Sequence, residues 1–94
     1  MSVYSIWESR FPAETAEEGI SVTKAIWRDM LSFEGYLAHE LIQDLDQPGH
    51  VIVVSRWSSR EAADAAMSYA SHPNAKLADR LVSEPRRRTV GAPR

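Results

Sequence analysis

Four consecutive aliphatic residues, Val51-Ile52-Val53-Val54, restrict the fold of this chain more than any other feature. A strand with one face in water alternates apolar and polar residues, because successive side chains point to opposite faces. This run puts branched apolar groups on both faces, so its strand lies in a sheet covered from two sides. Asp46, Gln47, Pro48 and Gly49 form a turn before it, with Pro presetting φ and Gly accepting a positive one, and the strand is read as His50 to Trp57. The short helices available to a chain of 94 residues shield one face of such a sheet. The other face is expected to pack against a second copy, giving a homodimer, with a loop or the C-terminal tail as the competing cover. Association also suits a chain this short, which buries only about 60 to 65% of its unfolded surface when alone.

The remaining segments supply partners for that strand. Val3 to Phe11 places Val3, Trp7 and Phe11 on one parity and Tyr4 and Ile6 on the other, which reads as strand one. Pro12 breaks it, and Thr15 with Glu18 suggests a capping box for a helix running to about Leu31. The apolar side of that helix is Ala16, Gly19, Ile20, Thr23, Ile26, Trp27 and Met30, opposite Glu17, Ser21, Lys24 and Arg28. Gly35 ends the unit, and Tyr36 to Leu45 alternates Leu37, His39, Leu41 and Gln43 against Tyr36, Ala38, Glu40 and Ile42 as a second strand, hairpinned to the third. Ser58 and Glu61 suggest a second capping box opening an alanine-rich helix to about Ala70, which His72 and Pro73 end. A short helical segment from Asn74 to Val82 carries Leu77 and Leu81, Pro85 to Val90 supplies an edge strand, and Gly91 to Arg94 is expected to fray. The order is βαββαβ with one extra helical turn, an α+β, ferredoxin-like arrangement in a single domain over residues 1–94: a four-stranded antiparallel sheet with helices on one face.

Composition narrows the function classes. There is no cysteine, so disulfides and thiolate metal sites are excluded and the expected compartment is the cytoplasm. Strand one starts without a basic region and apolar run of signal type, and no apolar stretch approaches about 18 residues, so neither export nor membrane spanning is expected. A net charge of −2 argues against a nucleic-acid partner, whose binding draws on neutralised phosphates. Only Arg86, Arg87 and Arg88 are locally basic, and they are read as a solvated edge strand that discourages further pairing rather than an anion site.

Three short segments carry a resemblance: Phe33-Glu-Gly-Tyr36, His39-Glu-Leu41, and Val53-Val-Ser-Arg-Trp57-Ser-Ser-Arg-Glu61. Together they resemble the antibiotic biosynthesis monooxygenase domain of the dimeric α/β barrels, over roughly residues 3 to 90. The resemblance implies a homodimer with facing sheets and a ligand cavity between sheet and helices in each subunit. Relatives include cofactor-free oxygenases of aromatic polyketides or quinols and haem-degrading oxygenases. The latter use an Asn on strand one, a Trp matching Trp57 and a His on the second helix. Strand one holds no Asn here, the single Asn is Asn74, and Ala62 to Ala70 holds no His. Haem degradation is the lesser expectation.

The candidate residues follow from these placements. Trp7, Trp27 and Trp57 can converge on one cavity and suit a planar aromatic ligand, although each taken singly is also an ordinary core residue. Trp57, at a strand end beside a helix start, has an indole N–H that can meet a ligand. His39 is the candidate general base, since imidazole titrates near neutrality; Glu40 points to the other face, and the competing reading of His39 is a hydrogen-bonded strand residue. His50 is expected to face solvent. His72 reads as a helix stop that joins Tyr69 at the pocket mouth. The histidines stand 11 and 22 residues apart, without metal spacing, and no GxGxxG, P-loop or Gly-x-Ser-x-Gly elbow is present. The expectation is therefore a monooxygenase needing neither cofactor nor metal and acting on a small aromatic, quinol or polyketide-like substrate. The alternatives are a non-catalytic module binding a small apolar molecule, and a structural dimer with a collapsed pocket.

Overall fold

The computed structural model describes residues 2–94. Strands β1 (Val3–Arg10), β2 (Tyr36–Gln43), β3 (His50–Trp57) and β4 (Arg87–Gly91) form one sheet in the order β2-β3-β1-β4, every neighbouring pair antiparallel. Helix α1 (Ala16–Met30) joins β1 to β2; α2 (Arg60–Ala65), a 3-10 segment (Ala66–Ser71) and α3 (Pro73–Leu81) join β3 to β4. This is the expected ferredoxin-like α+β fold, in which a β-strand, crossover helix and returning strand leave all helices on one side.

The aliphatic run explains the layering. Val51 and Val53 are almost fully buried beneath the helices, while Ile52 and Val54 are half-buried on the opposite face. The register then sorts every strand: Val3, Ser5, Trp7 and Ser9 pair with Trp57, Ser55, Val53 and Val51 and share the helix side. The core between sheet and helices contains Val22, Ile26, Trp27 and Met30 of α1, Val53 and Trp57 of β3, and the small side chains Ala63, Ala66, Ala75 and Ala78, which let α2 and α3 sit close to their neighbours.

Several local expectations need correction. Thr15 stands at the start of α1 without a side-chain cap; its hydroxyl donates instead to the Pro12 carbonyl at 3.4 Å, because the chain first makes a 3-10 turn over Ala13–Thr15. The cap of α2 is Ser59, not Ser58: its Oγ accepts from the Ala62 N–H at 3.1 Å, whereas the Ser58 N–H donates to the Gly35 carbonyl. His72 begins a helix as well as ending one, since its Nδ1 accepts from the Asn74 N–H at 3.0 Å and Pro73 fills the first helical position, where its missing N–H costs nothing. Gly91 pairs with Tyr4 as the last residue of β4 and is not part of a tail.

The most consequential departure is in β2. Tyr36 pairs with Trp57 and Ala38 with Arg56, so Leu37 is an extra, bulged residue. A bulge resets the parity of a strand. Tyr36 and His39 therefore share the helix side, where simple alternation set them on opposite faces, and Leu37 turns outward. Gly35 makes the bend possible with φ of +85°, a region open to glycine; a Cβ there would lie 2.4 Å from the Ala62 Cβ.

Candidate active site

Between the sheet and the helices lies a cavity of about 50 Å³. Trp7 of β1, Trp27 of α1 and Trp57 of β3 all line it, with Ile26, Met30 and Tyr69 completing much of the wall and Arg86 at one end. Three tryptophans from three elements meet there because β1 and β3 are adjacent, Trp7 and Trp57 share the helix-facing parity, and α1 crosses above them.

Trp57 is a wall and not a donor to a ligand. It is 1% exposed, and its indole N–H donates to Ser55 Oγ at 3.0 Å, while Ser55 in turn donates to the Ser5 carbonyl at 2.8 Å. The N–H expected to meet a ligand is already satisfied inside the sheet, as a buried donor must be. Tyr36 stands edge-on to Trp57, ring centroids 5.8 Å apart and planes at 87°.

His39 lies one shell outside the cavity and does not line it. Its Nδ1 accepts from the Tyr36 hydroxyl at 2.6 Å with the remaining proton assigned to Nε2, and its ring packs 5.4 Å from that of Trp27. Burial pushes its imidazole below its ordinary pKa, favouring the neutral form. His39 and Trp57 are thus linked through Tyr36 but do not bound one common space.

Tyr69 lines the cavity, and further acid–base groups cluster around its hydroxyl outside the lining. Its hydroxyl donates to Asp29 Oδ2 at 2.5 Å and accepts from Asn74 Nδ2 at 3.3 Å. The His72 ring stacks on Tyr69 at 4.4 Å and 8°. His72 does not line the cavity; because its Nδ1 accepts from the Asn74 N–H, its proton is assigned to Nε2, which lies 3.9 Å from Asp29 Oδ2. Burial, and then the hydrogen bond to the Asp29 carboxylate, pushes the Tyr69 phenol above its ordinary pKa. Asp29 escaped the reading of the sequence. The available signal was its position near the C-terminus of α1, where a carboxylate opposes the helix dipole and so needs another partner.

Two other side chains are not where the sequence suggested. His50 is not solvent-facing: its side chain is 12% exposed, with Nδ1 donating to Asp44 Oδ2 and Nε2 to Glu8 Oε2, both at 2.9 Å. The two carboxylate partners raise its pKa, Asp44 first, and so favour the doubly protonated imidazolium. Of the three arginines, Arg87 is exposed as expected, but the side chains of Arg86 and Arg88 are only 16% and 19% exposed and fold back against the helix side.

The family model for antibiotic biosynthesis monooxygenases matches residues 2–76. The chain belongs to that family. Solved structures agree with the monooxygenase fold at low sequence identity. A conserved protein from Methanosarcina mazei superposes with a TM-score of 0.85 at 13% identity, covering 100% of this chain and 94% of that one. A protein from Mycobacterium tuberculosis gives 0.82 at 19%, covering 100% and 96%. SnoaB, a cofactor-independent oxygenase from Streptomyces nogalater, gives 0.80 at 16%, covering 99% and 93%. None of the curated proteins matches the chain in sequence. The stretch matched to the monooxygenase family contains Asp29, Trp57, Tyr69 and His72 but stops short of Asp79, Arg86 and Arg88.

Proposed function

We propose that this protein is a cofactor-independent monooxygenase acting on a small aromatic, quinol or polyketide-like substrate bound between the three tryptophans. The observation that carries the reading is Tyr69 on the wall of an aromatic cavity with its hydroxyl donating to Asp29, in a chain of the monooxygenase family whose fold is that of SnoaB, a cofactor-independent oxygenase. Flat aromatic walls suit a planar substrate. The chemistry needs the substrate to be ionised, because an electron-rich carbanion or phenolate is what gives an electron to dioxygen. For an anthrone, a methylene carbon and one dioxygen become a carbonyl and one water: both C–H bonds break, one oxygen atom enters the product, and the other leaves as water with both hydrogens. Asp29, relayed through the Tyr69 hydroxyl, takes the substrate proton, and His72 beside it leads toward solvent. The largely apolar wall limits the water around the reacting anion. In this reading Tyr69 and Asp29 replace His39 as the base, since His39 has no face on the cavity.

Ligand pockets usually enclose about 300–1,000 Å³, so the walls part to admit such a substrate. The purified protein, with nothing added, is expected to consume oxygen with at least one member of a panel of hydroquinones and anthrones. Failure with all of them overturns the proposal.

A second reading is favoured by the small cavity itself, in which the protein binds a small apolar molecule without turning it over. Ligand retained through purification, together with no oxygen uptake, selects it. In either case we propose a homodimer through the open face of the sheet, where Tyr4, Ile6, Ile52 and Val54 are half-buried and Ile42 is 43% exposed. Among the described residues no helix is long and apolar enough to cross a membrane, and we propose the cytoplasm as its compartment.

A further inference from the structure

Arg86 is the cation nearest the aromatic cavity, and its position is unusual for a surface arginine. Its guanidinium carbon lies 5.0 Å from the Trp7 ring centroid, and its side chain is only 16% exposed. Among the described residues its one hydrogen bond is from Nε to Asp79 Oδ1 at 2.8 Å, and Asp79 is itself 57% exposed. The two terminal nitrogens, which form the fork that grips planar anions, are not used in that bond.

Arg86 and Trp7 also separate two spaces. On one side is the cavity of about 50 Å³, lined by the tryptophans and Tyr69. On the other is an open groove of about 570 Å³ bounded by Asp79, Val82 and Pro85. Both residues line both spaces, as does Ala70, so the guanidinium resting on the indole is part of the boundary between them. Lifting it joins a cavity too small for a polycyclic ligand to a groove large enough for one. A second cation stands beside Trp7: Arg88 is its cross-strand neighbour, and its Nε is buried without a hydrogen-bond partner, although its Nη2 donates to Asp64 Oδ1 at 2.9 Å.

We propose that Arg86 is an anion-binding gate: the ligand of this cavity is a flat aromatic bearing a carboxylate or ionised phenol, which draws the guanidinium off Trp7 and Asp79 and is gripped by its fork. A neutral aromatic has to displace the cation–π contact without replacing it, whereas an anionic one offers a charge-assisted bond in a partly desolvated place. The inference rests on the proposed function only in placing the ligand in the same cavity, and it names the ligand class.

The test is calorimetric binding of anthraquinone-2-carboxylate and of neutral 2-methylanthraquinone to the full chain. The acid is expected to bind at least about tenfold more tightly than the neutral probe, a difference of about 1.4 kcal/mol. In Arg86→Met that ratio falls to about one, and in Asp79→Asn, which frees the guanidinium, the acid binds a few-fold more tightly than to the native chain. Asp79→Asn keeps the test decisive if Arg86→Met does not fold. Equal affinities in the native chain, no binding of either probe, a ratio that survives Arg86→Met, or an acid affinity not raised by Asp79→Asn each overturns the gate. Oxygen uptake with neutral anthrones but without anion preference sinks this inference alone, and anion preference without any turnover sinks the oxygenase reading alone.

Discussion

If the Trp57 N–H is a structural donor, removing its acceptor and removing the donor should be strongly coupled. Ser55→Ala deletes the Oγ that accepts from Trp57 and donates to the Ser5 carbonyl, in a place where both residues are 1% exposed. It leaves an indole N–H without a partner, which costs about 1–3 kcal/mol. Trp57→Phe removes the donor and part of a buried ring. The lost bond costs about 1 kcal/mol and the smaller ring adds about 1–2 kcal/mol for the space left behind. In the double variant no indole N–H remains to be stranded, so Ser55→Ala should cost at least about 1 kcal/mol less than it does alone. Urea melts of the native chain, both single variants and the double variant at one pH and protein concentration measure all four corners. Costs that add to within about 0.3 kcal/mol would refute the claim, and would return the Trp57 N–H to the groups available to a ligand.

The remaining predictions concern the proton groups and the open face. Tyr69→Phe and Asp29→Asn should each lower oxygen uptake with an active anthrone by about a hundredfold or more, whereas His39→Gln should stay within about threefold of the native rate; the reverse ranking would restore His39 as the base. The folded-state pKa of His50 is raised, so its contribution to stability is complete below the unfolded value and is lost as pH rises through the folded one. The urea midpoint should therefore be lower at pH 8.5 than at pH 6, and His50→Gln should remove the difference. The lowered Asp44 carboxyl acts in the opposite direction, stabilising above its unfolded pKa and losing that effect as pH falls through the folded one. Val54→Glu, on the open face of the sheet, is expected to give a folded monomer by sedimentation and circular dichroism; a native chain that is already monomeric would contradict the proposed dimer.

Much of this architecture was legible because it depends on local chemistry. Val51 to Val54 announce a strand with apolar groups on both faces, of which the helices bury Val51 and Val53, and the apolar side of α1 repeats at helical spacing, with Ile26, Trp27 and Met30 all buried as expected. The caps were harder. Thr15 and Ser58 each had the right chemistry for an N-cap, but a 3-10 turn before α1 and the Ser58–Gly35 backbone bond decided otherwise. Both events depend on how the chain enters the turn, which residue identity alone does not specify.

The sequence by itself determined the element order, the sheet with helices on one side and the resemblance to the monooxygenase family, and set Trp7, Trp27 and Trp57 on three elements that can share a cavity. These follow from periodicity and from motifs contiguous in the chain. The tertiary structure alone decided what those side chains do. The bulge at Leu37 brought His39 to the helix side yet kept it outside the cavity. Asp29 joined Tyr69 across 40 residues, and Asp79 with Trp7 drew Arg86 inward from what looked like a solvated edge. Hydrogen-bond partners distant in sequence are set by packing, and no local period encodes them. Trp57 could be placed at the end of its strand from the sequence, but that its N–H is already engaged by Ser55 needed the fold.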